Sequence, residues 1–301
     1  NSALNQGVFL PAGSSCWRPM DSTAQCGRVD TVLFAGHVGT VDGATGGVLQ
    51  GDITSGTHNT RAANWTFIAG DSNRVSGDYS TIAGGQGNRA NNLRQFIGGG
   101  LHNNADGSVN FIGGGDGNHT SGDGSVVVGG IGNQVNNLHS FIGGGHSNIA
   151  DGTSNTIIAG ESNHTANDYA TIGGGYQNGA SGFGSLVSGG FQDSAQATYS
   201  IVCGGFQNLA SRSLTFIGGG SNNTASASGA AVGGGQGNAA TGGQSAVAGG
   251  VNNTASGTGA AVGGGSAGAA AGDYGVVAGG FSNSASAYGA AVAGGSNNKI
   301  G

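Results

Sequence analysis

A 15-residue period constrains this chain more than any other feature. Stepping in fifteens from Gly70 to Gly295 meets glycine at all 16 positions. The column before it is glycine at 14 of 16, with Ala69 and Ala159 as the exceptions. Three residues after it stands asparagine, at Asn73, Asn88, Asn103, Asn118, Asn133, Asn148, Asn163 and Asn178 and on to Asn298, broken only by Asp193 and Gly268. Two residues further on, alanine fills 11 of 16 positions, among them Ala90, Ala105, Ala150 and Ala180. Three residues before the invariant glycine, Phe67 is followed by an unbroken run of Ile or Val from Ile82 to Val292. Such self-similarity marks a solenoid, in which each repeat buries its apolar face only by stacking on its neighbours.

Fifteen residues are too few for a helical-hairpin repeat, which needs about 33. They suit one coil of a flattened β-roll, with two strands of about five residues and two tight turns. The first strand reads Ser80-Thr81-Ile82-Ala83 and ends at Gly84-Gly85. The second runs through Asn88 and Ala90 to a turn column, Gly77, Asn92, Gly107, Gly122 and Asn137, whose residues tolerate positive φ. The expected fold class is therefore all-β: a parallel β-solenoid, or β-roll, of about 16 coils over residues 67–301, preceded by an N-terminal cap or assembly segment at residues 1–66. At ~4.8 Å per coil the rod would be roughly 75–80 Å long. The asparagine column is expected to form a side-chain amide ladder, a structural role rather than a ligand site.

Composition excludes several functions. With 8 Lys+Arg against 14 Asp+Glu and a net charge of −6, the chain lacks the cationic surface that nucleic-acid binding requires. It has only two prolines among 69 glycines and no strict Gly-X-Y period, so it is not collagen. No apolar run approaches the ~18 residues of a spanning helix, and no membrane insertion by this chain is expected. Catalysis finds no constellation either. Glu161 is the lone glutamate, and the seven histidines form no His-Glu-x-x-His pattern. His119 and His164 share a column but stand three coils apart, about 14 Å, too far to share a metal. A non-enzymatic protein without cofactor or metal is expected.

The outer columns carry what is left for function. Neighbours on a strand face opposite ways, so the residue before each interior Ile or Val points outward. There the sequence places Phe96, Phe111, Phe141, Leu186, Ile201 and Phe216, a stripe that asks for a cover. Copies of the same chain, in a filament or a trimer, are the expected partners. Tyr176, Phe191, Phe206 and Phe281, just after the glycine pair, are candidate exposed contacts, for subunit packing or for a host or matrix surface. A slower period of 45 residues overlies the first: Asn91–Ile97 recurs as Asn136–Ile142, and Asn118-His119-Thr120 as Asn163-His164-Thr165. Duplication of a three-coil block accounts for it, and lateral packing every three coils is the functional alternative. Between residues 221 and 301 only Asp273 and Lys299 are charged, which leaves a smooth, neutral surface.

Residues 1–66 hold both prolines, Trp17, Trp65 and the strand-like run Val29–Val41. Solenoid ends need capping. Cys16 and Cys26 are disulfide candidates in an oxidising compartment, and Cys203 sits in a column of small residues where packing is expected. A start at Asn1 rather than methionine is what processing after secretion, or truncation, would leave. The last residues, Asn298–Gly301, stop in mid-coil, as truncation or head-to-tail stacking on the next subunit would require. Sequons occur at Asn64, Asn118, Asn163, Asn222 and Asn252.

The pattern Ser-x-(Ile/Val)-x-Gly-Gly-x-x-Asn-x-Ala-x-Gly, carried by Ile82, Gly84, Gly85, Asn88, Ala90 and their echoes over residues 67–301, resembles the Hep/Hag-type head repeats of trimeric autotransporter adhesins. Those repeats carry a lone glycine after the Ile or Val, where this chain has two or three, as in Gly98-Gly99-Gly100. The resemblance implies a left-handed parallel β-roll, three chains side by side, at a cell surface. Two functions are expected: a secreted structural protein that self-associates into an extracellular or cell-surface fibre, or the head of a trimeric adhesin or viral tail-fibre tip.

Overall fold

The structure, a computed structural model, describes residues 31–34, 37–40 and 53–301. Residues 31–34 pair antiparallel with 37–40, Phe34 opposite His37. From Ile53 onward the chain is a parallel β-solenoid, and no helix occurs among the described residues. Each coil contributes two short strands, for example Thr81–Ile82 and Arg89–Ala90. Both strands stack in register: Thr81 lies between Phe67 and Phe96, and Ala90 between Val75 and Ala105. A third line of single-residue bridges runs Thr57, Asp71, Gln86, Leu101 and on to Ser296. Each coil is thus tied to its neighbours along three parallel lines.

The strands are two residues long, not five, because the backbone turns left-handed three times per coil. In one coil Gly85 (φ 82°), Gly87 (67°) and Arg94 (54°) do this, and each such residue ends an extended run. Gly85 shows why its column admits nothing else: a Cβ there would sit 2.1 Å from the carbonyl oxygen of Gly100 in the next coil. Where the chain is extended, alternation sorts the side chains. Ile82, Ile97 and Ile112 are fully buried on one strand line, and Ala90, Ala105 and Ala150 on the other.

Two details of the N-terminal end differ from the sequence-based expectation. The ladders begin inside residues 1–66, since Ile53 pairs with Phe67 and Thr54 with Ile68. The first steps are also 14 residues, with Phe67 against Thr81 and Ile68 against Ile82. Ile68, not Phe67, therefore enters the core, and Phe67 is half-buried in the outer column. The cause is one residue fewer in the turn: Ala69-Gly70 stands where the next coil has Ala83-Gly84-Gly85. The remainder of the expected cap, with Cys16 and Cys26, lies outside the described residues.

Several left-handed positions are held by residues that resist that conformation. Val109 (φ 61°) is a β-branched example, and the next coil has Gly124 at the same place. The left-handed region costs an L-residue about 1–2 kcal/mol, and Val109 is 57% exposed, so little packing is lost on truncation. Val109→Gly is expected to stabilise the protein by about 1 kcal/mol in chemical denaturation, after glycine's own entropy cost; an unchanged or lower stability would contradict the strain.

Candidate functional site: the interior ladder and the outer faces

Asparagine fills the interior beside the glycine turn because its one side chain bonds the turn carbonyl of its own coil and ties that turn to the backbone of the next. Nδ2 of Asn103 donates to the carbonyl of Gly99 in its own coil (2.9 Å) and to that of Gly115 in the next (2.9 Å). Oδ1 of Asn103 accepts the backbone N–H of Asn118 at 3.0 Å. The same three bonds are made at Asn88, Asn118, Asn133, Asn148 and Asn163, all fully buried. Asn73 and Asn178 donate and accept in the same way, so the ladder runs chiefly through the backbone rather than from amide to amide. A second polar column, not anticipated from the sequence, lines the opposite turn. Ser125 Oγ donates to Asn137 O (2.9 Å), Ser140 Oγ to Gly152 O (2.8 Å), and Asn155 N–H to Ser140 Oγ (3.0 Å). Its signal is the Ser, Asn, Gln or Thr two residues before most of the core Ile and Val, with Ala170, Ala230, Ala260, Gly275 and Ala290 as the exceptions. Asn133→Ala would strand the part-buried carbonyl of Gly129 and the buried N–H of Asn148, and would leave the Gly145 carbonyl with the N–H of Ile131 as its only donor. At ~1–3 kcal/mol for each of the two stranded groups, a loss of about 2 kcal/mol or more is expected by thermal melting; a loss below about 1 kcal/mol would mean that the ladder is dispensable.

The outer phenylalanines form two stretches rather than one stripe. Phe96, Phe111, Val126 and Phe141 are successive partners in one, and Leu186, Ile201 and Phe216 in the other. Thr156 and Thr171 separate them. Phe96 and Phe111 stack at 5.3 Å. Each exposed ring lies over the glycine two residues on, Phe96 over Gly98, Phe111 over Gly113, Phe141 over Gly143 and Phe216 over Gly218, where a Cβ would come within 3.3–3.5 Å of the ring. The nearer obstacle to a Cβ at these glycines is the backbone of the next coil, whose carbonyl oxygen would lie 2.2–2.3 Å away. The rings remain 36–40% exposed.

Tyr176, Phe191 and Phe206 stack on one another along the bridge line, with centroids 5.2 Å apart at both steps. Their faces are turned to each other, leaving the edges outward. Beside them Gln192 donates to Gln177 and Gln207 to Gln192, both at 2.8 Å. Phe281 has serines in its column on both sides, Ser266 and Ser296. A further aromatic line at another turn was not anticipated from the sequence: Tyr169, Phe183 and Tyr199 meet edge to face at 5.3 and 5.8 Å.

Charged side chains pair between coils. His119 Nε2 lies 2.8 Å from Asp106 Oδ2, and His164 Nε2 lies 2.7 Å from Asp151 Oδ2, the same geometry 45 residues on. Asn91 donates to Asp106 (2.6 Å) and Asn136 to Asp151 (2.6 Å). The 45-residue period thus repeats a module of amide, carboxylate and imidazole on one outer face. Burial pushes the Asp106 carboxyl up, but the hydrogen bonds from Asn91 and His119, the His119 charge and the Asn104 amide outweigh it and hold the group below the usual carboxylate range. A lowered folded value means that its stabilisation is present above ~3.9 and is lost as pH falls through the folded value. Asp106→Asn is expected to lower the melting temperature near neutrality and to have no effect at the acid end; an equal effect at both would contradict the pairing.

Among the described residues no group of three or more His, Cys, Asp or Glu is placed to hold a metal ion, and no helix is long and apolar enough to cross a membrane. Cys203 is exposed rather than packed, because its column follows the core position and faces outward. The sequon asparagines divide: Asn118 and Asn163 are buried in the ladder, whereas Asn64, Asn222 and Asn252 are exposed. No family model matches the chain, and no curated protein matches it.

Proposed function

We propose that this chain is a non-enzymatic, secreted structural protein whose rods associate through the phenylalanine-bearing face into an extracellular or cell-surface fibre. The observation that carries the reading is the pair of apolar stretches at Phe96–Phe141 and Leu186–Phe216, partly exposed on one sheet face. An apolar patch repeated along a rod that carries little charge finds its best cover in a second copy of the same face. The almost uncharged surface from residue 221 to 301 offers little electrostatic repulsion to such packing.

The second reading is a trimeric surface head of the kind the sequence resembles, gripping a host or matrix surface. In its favour, the two 14-residue steps at the N-terminal end carry the lone glycines, Gly56 and Gly70, that those repeats use.

Electron microscopy and sedimentation velocity of the purified full chain separate the two. Filaments or lateral bundles, dispersed by Phe111→Ser combined with Phe216→Ser, are the expected result. Discrete rods three chains thick would replace the fibre with the trimeric head, and monomeric rods at high concentration would overturn both.

A further inference from the structure

The asparagine ladder has one acidic member. Asp193 is fully buried in line with Asn178 before it and Asn208 after it. Its backbone N–H donates to Asn178 Oδ1 at 2.9 Å. Its Oδ1 does the work of an amide oxygen, accepting the N–H and the Nδ2 of Asn208 at 2.8 and 3.0 Å. Oδ2 takes the place of the amide nitrogen. A Cβ built on Gly190 would meet Asp193 Oδ2 at 2.2 Å, as a Cβ built on Gly175 would meet Asn178 Nδ2 at 2.6 Å. In every neighbouring coil that atom donates to two carbonyls: Asn178 to Gly174 and Gly190, and Asn208 to Gly204 and Gly220. At Asp193 the corresponding carbonyls are those of Gly189 and Gly205, both acceptors, and Oδ2 is buried without a donor partner.

We propose that Asp193 folds as a neutral carboxylic acid whose Oδ2–H donates into the carbonyls of Gly189 and Gly205, making this coil a proton-dependent joint in the rod. Ionised, the oxygen would face two carbonyl dipoles in a dry interior, an arrangement without compensation. The titratable side chains of the adjoining coils are Asp168, Tyr169, Tyr176, Tyr199, Cys203 and Arg212. They occupy turn and outer columns, and none bonds the Asp193 carboxyl. The coil is also clasped from outside. Phe191 is the middle ring of the Tyr176–Phe191–Phe206 stack, and Gln192 the middle member of the Gln177–Gln192–Gln207 ladder. Extra bonding between coils is thus centred on the coil whose ladder residue is acidic.

Burial pushes the Asp193 carboxyl up, against the hydrogen bonds from Asn208. With a folded value above the unfolded ~3.9, the bond contributes fully below that pH and is lost as pH rises through the folded value. Asp71 and Asp106, both held down, have the opposite dependence, so the intact chain's melting curve mixes the two signs. The difference between Asp193→Asn and the parent chain isolates the joint, and asparagine is the residue that the ladder accepts elsewhere. The melting temperature of Asp193→Asn is expected to exceed the parent's by several degrees at about pH 8 and to converge on it at about pH 4. The carbon-13 shift of the Asp193 carboxyl, assigned by its loss in that variant, should report a protonated acid well above the pH at which an exposed aspartate ionises. A pH-independent gap, or a carboxyl that ionises in the ordinary range, would overturn the proposal. So would a rise in the parent's melting temperature on adding calcium at about pH 8 that the variant lacks, since a cation rather than a proton would then fill the gap between Oδ2 and the two carbonyls.

Discussion

The buried asparagine side chain is the interaction on which the rest depends. A coil of fifteen residues with three left-handed turns cannot satisfy its own backbone, because its extended runs are only two residues long. Asparagine resolves this with one short planar group that has two donors and an acceptor, reaching its own coil and the next. The interior is consequently narrow. It admits one branched apolar residue and one small one per coil, and the glycine column lets the next backbone approach within contact of where a Cβ would be. Period, composition and core are all consequences of that geometry.

Much of the fold could be read from the sequence because every coil repeats the same environment. Ile82, Ala90, Asn88 and Gly85 each stand for a column, and a column of one residue type reports one chemical demand. The sequence is least informative where the column varies. Ser80, Gln95, Asn110 and Ser125 share a polar task with different side chains, so the second polar column does not stand out by residue type. The step of 14 at the first coils is hidden because Gly70 and Asn73 stay in register with their echoes while Ile68 slips by one. Strand length is overestimated from sequence because positive φ at Arg94 or Val109 leaves no residue-type signal.

The outer face shows how one demand shapes another. The backbone of the next coil keeps a side chain out of the turn at Gly98, Gly113, Gly143 and Gly218, and the rings of Phe96, Phe111, Phe141 and Phe216 lie against those bare glycines. Similar pairing of ring and glycine occurs between coils, where His102 lies against Gly87 and Tyr199 against Gly184. Aromatic residues on this rod are therefore partly bound to it already, through glycine contacts or through one another. The half-exposed remainder at the phenylalanine stretches is the surface we propose for association, and its residues are legible in the sequence as an outward-facing column. The break at Thr156 and Thr171 divides that surface into two patches.

Hydrogen exchange of the side-chain amides tests the central claim most directly. The Nδ2 protons of Asn133 and Asn148, buried and bonded to two carbonyls each, should exchange orders of magnitude more slowly than the Nε2 protons of Gln192 and Gln207 on the outer surface. Their protection should be lost only when the rod unfolds as a whole. Exchange of the asparagine amides at the rate of the surface glutamines would contradict the account, because the coils would then be held together by something other than the ladder.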